Sequence, residues 1–181
     1  MMLSGFDIEH LIETGRLRVS PFVKRSVREN GMDFRLADEI AHHNTFKEGF
    51  VLDPAKNEHI DKSYNVMKNE SKLIISAHEQ VLLSTLEYIG VPDDIAGFVE
   101  LRSTWARHGL SMPPTIIDAG FEGNVTLEVV NNAPYDIMLR PGTPFAHIVF
   151  NKLNNRASDP YRGSYSGQKG IRLPKPIKPI R

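Results

Sequence analysis

The sequence predicts a mainly β protein built as a sandwich, barrel or jelly roll. Three observations point there. Short apolar or alternating runs recur along most of the chain: "KLIIS", "QVLLSTLEYI", "IAGFVEL", "TIID", "NVTLEVVN", "YDIMLR" and "FAHIVFNKL". Turn-forming pieces such as "GVPDD", "AGFEG", "NAP" and "PGTP" separate them, and many strands at such close spacing build sandwiches and barrels. Helical periodicity is confined to two short segments.

In order, "SGFDIEHLIETGRL" predicts a short helix. Ser4 can cap it, Asp7 stands three residues on, Ile8, Leu11 and Ile12 form one apolar stripe, and Gly15 can end it. "RLRVSPF" reads as extended chain, and "GMDFRLADEIAHH" as a strand, because Met32, Phe34 and Leu36 alternate with polar neighbours. "HNTFKEGFVLDPAKNEHIDKSYN" keeps no period and reads as a long loop. "TWARHGL" is the second helical candidate. "DAGFEG" reads as the turn of a hairpin joining "TIID" to "NVTLEVVN", with Gly120 and Gly123 free to take positive φ. "YRGSYSGQKGIRLPKPIKPIR", rich in Gly, Pro and cations, reads as a mobile arm.

Composition narrows the chemistry. A chain of 181 residues with 40% hydrophobic content fits one globular domain with extensions. Lys plus Arg equals Asp plus Glu at 22 each, so no global charge points to nucleic acid or an anionic membrane. Cysteine is absent, which excludes disulfides, thiolate zinc sites and a cysteine nucleophile. The seven histidines show no ligand spacing and read as surface or core residues. "MMLSGFDIEH" has neither the basic flank nor the apolar run of a signal peptide, and no run approaches a membrane span. The expectation is a soluble, cytoplasmic protein.

Three stretches could carry chemistry. On "VTLEVV", Val125, Leu127 and Val129 share one strand face, and Thr126, Glu128 and Val130 share the other. Glu128 is either a solvent-facing strand carboxylate or a carboxylate on a partly apolar face, where a raised pKa would suit proton transfer. In "ELRSTWARHGL", Ser103 and Thr104 can cap a short helix flanked by Arg102 and Arg107. That is either an ordinary capped helix or a phosphate site. In "YRGSYSGQKG", glycines interleave with tyrosines, a glutamine and cations. That is either a disordered tail or a flap offering backbone N–H groups and aromatic faces to a nucleotide.

Together and in this order, these pieces resemble the dCTP deaminases of the trimeric dUTPase superfamily. "RSTWARHGL" is similar to the family's R-S-S-x-x-R-x-G-L, "IDAGFEGNVTLEVVN" to I-D-x-G-[WF]-x-G-x-[IV]-x-L-E, and "PYRGSYSGQKG" to P-Y-x-G-K-Y-x-x-Q-x-G. "GMDFRL" resembles G-x-D-[LV]-R-[LV], and "LSGFDI" the N-terminal "LSDRDI". The resemblance spans essentially the whole chain. It implies a distorted jelly-roll β-barrel over residues 1–160, with a short N-terminal and a short central helix. It also implies a C-terminal lid over residues 161–181 and a homotrimer with sites at subunit boundaries. The implied activity is hydrolytic deamination of dCTP to dUTP, with a dUTPase or bifunctional enzyme giving dUMP as the alternative.

By the same resemblance Glu128 is the proton donor and acceptor, and Ser103 and Arg107 help hold the attacking water and the carboxylate. Arg102, Ser103, Thr104, Trp105, Ala106 and Arg107 form the triphosphate segment. Asp118, with the strand residues Thr126, Leu127 and Glu128, contacts sugar and base. Tyr161 and Gln168 close over the nucleotide. Magnesium arrives with the triphosphate and zinc is not used. The chain departs from the pattern where Ser164 replaces a frequent lysine, Thr104 a serine and His147 a frequent glutamine, and where "SMPPTIID" shortens a loop.

Overall fold

The computed structural model describes residues 1–177. The last four residues of the expected arm, 178–181, lie outside the described residues. The first helix, α1 (Gly5–Glu13), begins at the predicted cap. Ser4 Oγ accepts from the Asp7 N–H at 3.3 Å, while Asp7 Oδ2 accepts from the Ser4 N–H at 2.9 Å. This reciprocal pair satisfies two otherwise orphaned amides. Ile8 and Leu11 are buried beneath the helix.

Strands follow almost without interruption: β1 (Arg18–Ser20), β2 (Val27–Arg28) and β3 (Gly31–His43). The segment read from sequence as a loop holds a helix, α2 (Asn57–Ser63), and a strand, β4 (Tyr64–Lys68). Both are short and largely exposed, so neither needs an apolar period to form. Beyond them lie β5 (Leu73–Ile75), β6 (Gln80–Gly90), β7 (Ile95–Leu101), α3 (Ser103–Arg107), β8 (Leu110–Ser111), β9 (Thr115–Ile117), β10 (Glu122–Asn131), β11 (Ile137–Leu139) and β12 (Pro144–Lys152).

All strand pairs are antiparallel, and the main sheet runs β8-β10-β6-β3-β12-β7-β9. The thirteen-residue β3 is its spine. Its first half pairs with β12 (Phe34 opposite Ala146), its second with β6 and β4 (Ala41 opposite Leu82 and Val66). The register slips between Leu36 and Ile40, where the strand passes from one half to the other. A slip of this kind bends and twists a strand. The sheet thereby curls around Phe34, Phe145, Phe150, Met32 and Leu83, all fully buried. This is a mainly β, jelly-roll type of fold, as predicted.

The expected hairpin is not one. β9 pairs with β7, while β10 pairs with β6 and β8, so "DAGFEG" carries the chain from one part of the sheet to another. Gly120 still does what was expected of it, with φ +91°. A Cβ there would come within 2.7 Å of Pro160, so only glycine lets the C-terminal segment pass so close. Among the described residues no helix is long and apolar enough to cross a membrane.

Candidate active site

Alternation along β10 decides which side chains face the core. Val125, Leu127 and Val129 are 6%, 1% and 0% exposed. Burial at that level contributes about 1.5–3 kcal/mol per side chain and holds the register. Thr126 and Glu128, on the other face, are half-buried. They form the floor of a cavity of about 470 Å³ together with Leu82 and Gln80 of β6 and Tyr64 of β4. The register explains the convergence: Glu128 lies opposite Leu82, and Leu82 opposite Ala41. Tyr64 joins the same stretch of sheet through its pairing with His43.

One wall comes from β9 and the turn after it, with Ile116, Asp118 and Phe121. The other comes from the C-terminal segment, through Tyr161, Tyr165, Gln168, Arg172 and Pro174. That segment lies folded on its own chain. The Tyr161 N–H donates to the Ala119 carbonyl at 2.8 Å, the Gly167 N–H to the Glu122 carbonyl at 2.7 Å, and the Asn124 N–H to the Gln168 carbonyl at 3.0 Å.

Glu128 has no side-chain hydrogen bond or ion pair among the described residues. Burial pushes its carboxyl above the ordinary glutamate range, and only its own backbone N–H opposes that. Tyr64 is pushed up first by burial and then by the negative charge of Glu128, so the phenol stays neutral beside the carboxylate. A half-buried, unpartnered carboxylate in a cavity, raised above its ordinary range, is suited to take a proton and return it.

The structure thus brings Asp118, Thr126, Glu128, Tyr161 and Gln168 to one cavity. Leu127 is not among its lining side chains, because it points into the core. Arg102, Ser103, Thr104, Trp105, Ala106 and Arg107 do not line it either. Helix α3 is seated elsewhere on the chain. Arg102 donates its backbone N–H to the Phe145 carbonyl at 3.1 Å, and Trp105 donates Nε1–H to the Pro144 carbonyl at 3.0 Å. The expected caps are also revised: Arg102 occupies the N-cap without a side-chain bond, and Ser103 and Thr104 are the first helical residues. Ser103, Thr104, Ala106 and Arg107 are exposed. The Ser103, Thr104 and Arg107 side chains make no hydrogen bond or ion pair among the described residues. Ser164 is exposed in a turn of the C-terminal segment.

His147 does not face the cavity. Its Nδ1 lies 3.0 Å from Oδ1 of Asp33, which also meets Arg28 Nε at 2.7 Å and Arg102 Nε at 3.5 Å. Sequence reasoning missed Tyr64, Gln80 and Arg172, and marked Tyr165 only as one of the two tyrosines of the C-terminal flap. Nothing in a segment without period marked Tyr64, and composition shows cations in the C-terminal segment without showing which one reaches the cavity.

Residues 2–153 match the model of a family described as dCTP deaminase-like. A dCTP deaminase of Pyrobaculum aerophilum is 45% identical over 178 residues, covering 98% of each chain. One of Sulfurisphaera tokodaii is 42% identical, covering 97% of this chain and 92% of its own. Among solved structures, the 2'-deoxycytidine 5'-triphosphate deaminase of Agrobacterium tumefaciens shares the fold. It superposes with a TM-score of 0.65 at 16% identity, over 83% of this chain and 47% of that one.

Proposed function

The chain belongs to the dCTP deaminase-like family, and from that premise we propose that it hydrolyses the 4-amino group of dCTP, giving dUTP and ammonia. The observation that carries the reading is Glu128, a carboxylate raised by burial and left unpartnered on the cavity floor. Glu128 takes a proton from water as the oxygen adds to C4 of the cytosine, and passes a proton to N3. The C4–N bond then breaks, and Glu128 relays the second proton of the water to the departing amino group, which leaves as ammonia. Proton transfer of this kind contributes roughly 10²–10⁴-fold. Phe121 and Leu82, both buried, give the carboxylate apolar neighbours there.

Asp118, Thr126, Tyr161 and Gln168 contact the nucleotide in this reading. Ser103 and Arg107 hold the water and the carboxylate, and Arg102 to Arg107 hold the triphosphate. The segment reaches the cavity from a neighbouring copy in a homotrimer. Its exposed, unpartnered hydroxyls and guanidinium, seated away from the cavity of their own chain, support that arrangement.

Deamination proceeds without zinc. The His and two Cys ligands of zinc-dependent cytosine deaminases cannot be assembled from a chain with no cysteine. Magnesium accompanies the triphosphate. Among the described residues the cavity offers only the carboxylates of Asp118 and Glu128, too few for an all-protein cage.

The test is incubation with dCTP and separation of dUTP, dUMP and ammonia. Stoichiometric ammonia with dUTP is expected, with turnover unchanged by a zinc-selective chelator and lowered by removal of magnesium. Accumulation of dUMP would make the enzyme bifunctional, and absence of ammonia would refute the reading.

A further inference from the structure

Among the described residues, the side chains that line the cavity include two carboxylates, Asp118 and Glu128, and one cation, Arg172. A nucleoside triphosphate cannot rest in such a site on carboxylates alone, since its phosphates need positive charge or N–H donors. Arg172 was not among the residues that sequence marked for the site. It belongs to the C-terminal segment, and that segment fixes where it stands.

Three contacts in succession pin the chain there. The Gly170 N–H donates to Oδ1 of Asn124 at 3.1 Å, the Ile171 N–H to Oε2 of Glu39 at 3.0 Å, and the Arg172 N–H to the Thr126 hydroxyl at 3.1 Å. Gly170 has φ +63° and packs so tightly on the Glu39 carboxylate that a Cβ would collide with it. Asn124 is itself anchored, donating Nδ2–H to the Thr85 carbonyl at 2.9 Å.

The backbone of Arg172 is therefore held against Thr126, two residues from Glu128 on the same face of β10. Two residues of strand span roughly 7 Å. Glu128 and Arg172 thus border one cavity of about 470 Å³, with the carboxylate and the cation at separate places in its lining. Arg172 is exposed and makes no ion pair among the described residues, so its charge is not committed elsewhere.

We propose that Arg172 contacts the β- and γ-phosphates in the nucleotide site, carried into place by a strap docked on Glu39, Asn124 and Thr126. The assignment rests on the nucleotide reading above and adds to it a cation supplied by the same chain as Glu128. The strap binds through the backbone of Arg172, so the side chain is removable without undoing the dock.

The experiment compares wild type with Arg172→Gln and Arg172→Lys, using dCTP and dCMP. The expected result for Arg172→Gln is a KM for dCTP raised about tenfold. Its kcat should be almost unchanged, its effect on dCMP smaller, and its trypsin cleavage after Lys169 as slow as in wild type. Arg172→Lys should recover most of the loss. An unchanged KM would overturn the proposal. So would equal losses for dCTP and dCMP, or faster cleavage after Lys169, because each assigns the side chain a structural role. Calorimetric binding of dCTP to wild type and Arg172→Gln reads the contact without turnover. A wild type that binds dCTP but does not deaminate it would refute the proposed reaction and leave the Arg172 contact to be judged on affinity alone.

Discussion

On β3, Asp33 is 3% exposed and is met by Arg28, Arg102 and His147. On β10, half-buried Glu128 is met by no side-chain partner among the described residues. Burial pushes both carboxyls up. At Asp33 the hydrogen bonds from His147 and Arg28 and the charge of Arg102 outweigh burial and hold the group below the ordinary aspartate range. At Glu128 burial prevails. A buried carboxylate with cationic partners stays charged and ties strands together. One without them trades protons. Arg102, which opens the segment proposed to hold the triphosphate, stands on the structural carboxylate, so the two regions are linked through that proposal.

The comparison breaks most visibly if the two carboxylates are exchanged in importance. Glu128→Gln keeps shape and loses the proposed base, so turnover should fall at least about a hundredfold, measured as single-turnover conversion of dCTP at saturating nucleotide. Asp33→Ala should do the opposite in kind. It leaves Arg28 and Arg102 without their buried acceptor and should cost about 2–3 kcal/mol of stability in denaturant unfolding. A stable Asp33→Ala protein would show that its partners are incidental.

Removal of the C-terminal segment from Tyr161 onward comes next. It takes one cavity wall away and leaves the sheet untouched, so KM should rise about tenfold or more while the proposed trimer, read by light scattering, survives. The smallest effect concerns the stability of Glu128→Gln. A raised folded-state pKa means that ionising Glu128 at neutral pH costs folding free energy, and glutamine relieves that cost. The melting temperature should stay level or rise slightly, by less than about 0.5 kcal/mol equivalent. For Asp33 the sign reverses. Its lowered pKa contributes stability above the unfolded-state value, and that stability is lost as pH falls through the folded one.

Much of this was legible in the sequence because it rests on local pattern. The alternation of Val125, Leu127 and Val129 against Thr126 and Glu128 declared the two faces of β10, and Ser4 with Asp7 declared the start of α1. What depends on distant pairing was not legible. "DAGFEG" looked like a hairpin because its flanking runs are adjacent in sequence, yet β9 and β10 take different partners. Tyr64 reaches the cavity because β4 adds to the edge of β3, and an exposed edge strand needs no apolar alternation. Arg172 could not be separated from the other cations of the C-terminal segment until Glu39, Asn124 and Thr126 showed where the chain is held. The family motifs marked α3 as part of the site, and the single chain keeps it away from the cavity.

Whether Glu128 is the base can be read from the pH dependence of kcat/KM for dCTP deamination, which reports ionisations of the free enzyme. An acid limb above the ordinary glutamate value is expected, in wild type and in Arg172→Gln. An acid limb at or below that value would mean that Glu128 is held ionised as Asp33 is, and would remove it from the base's role.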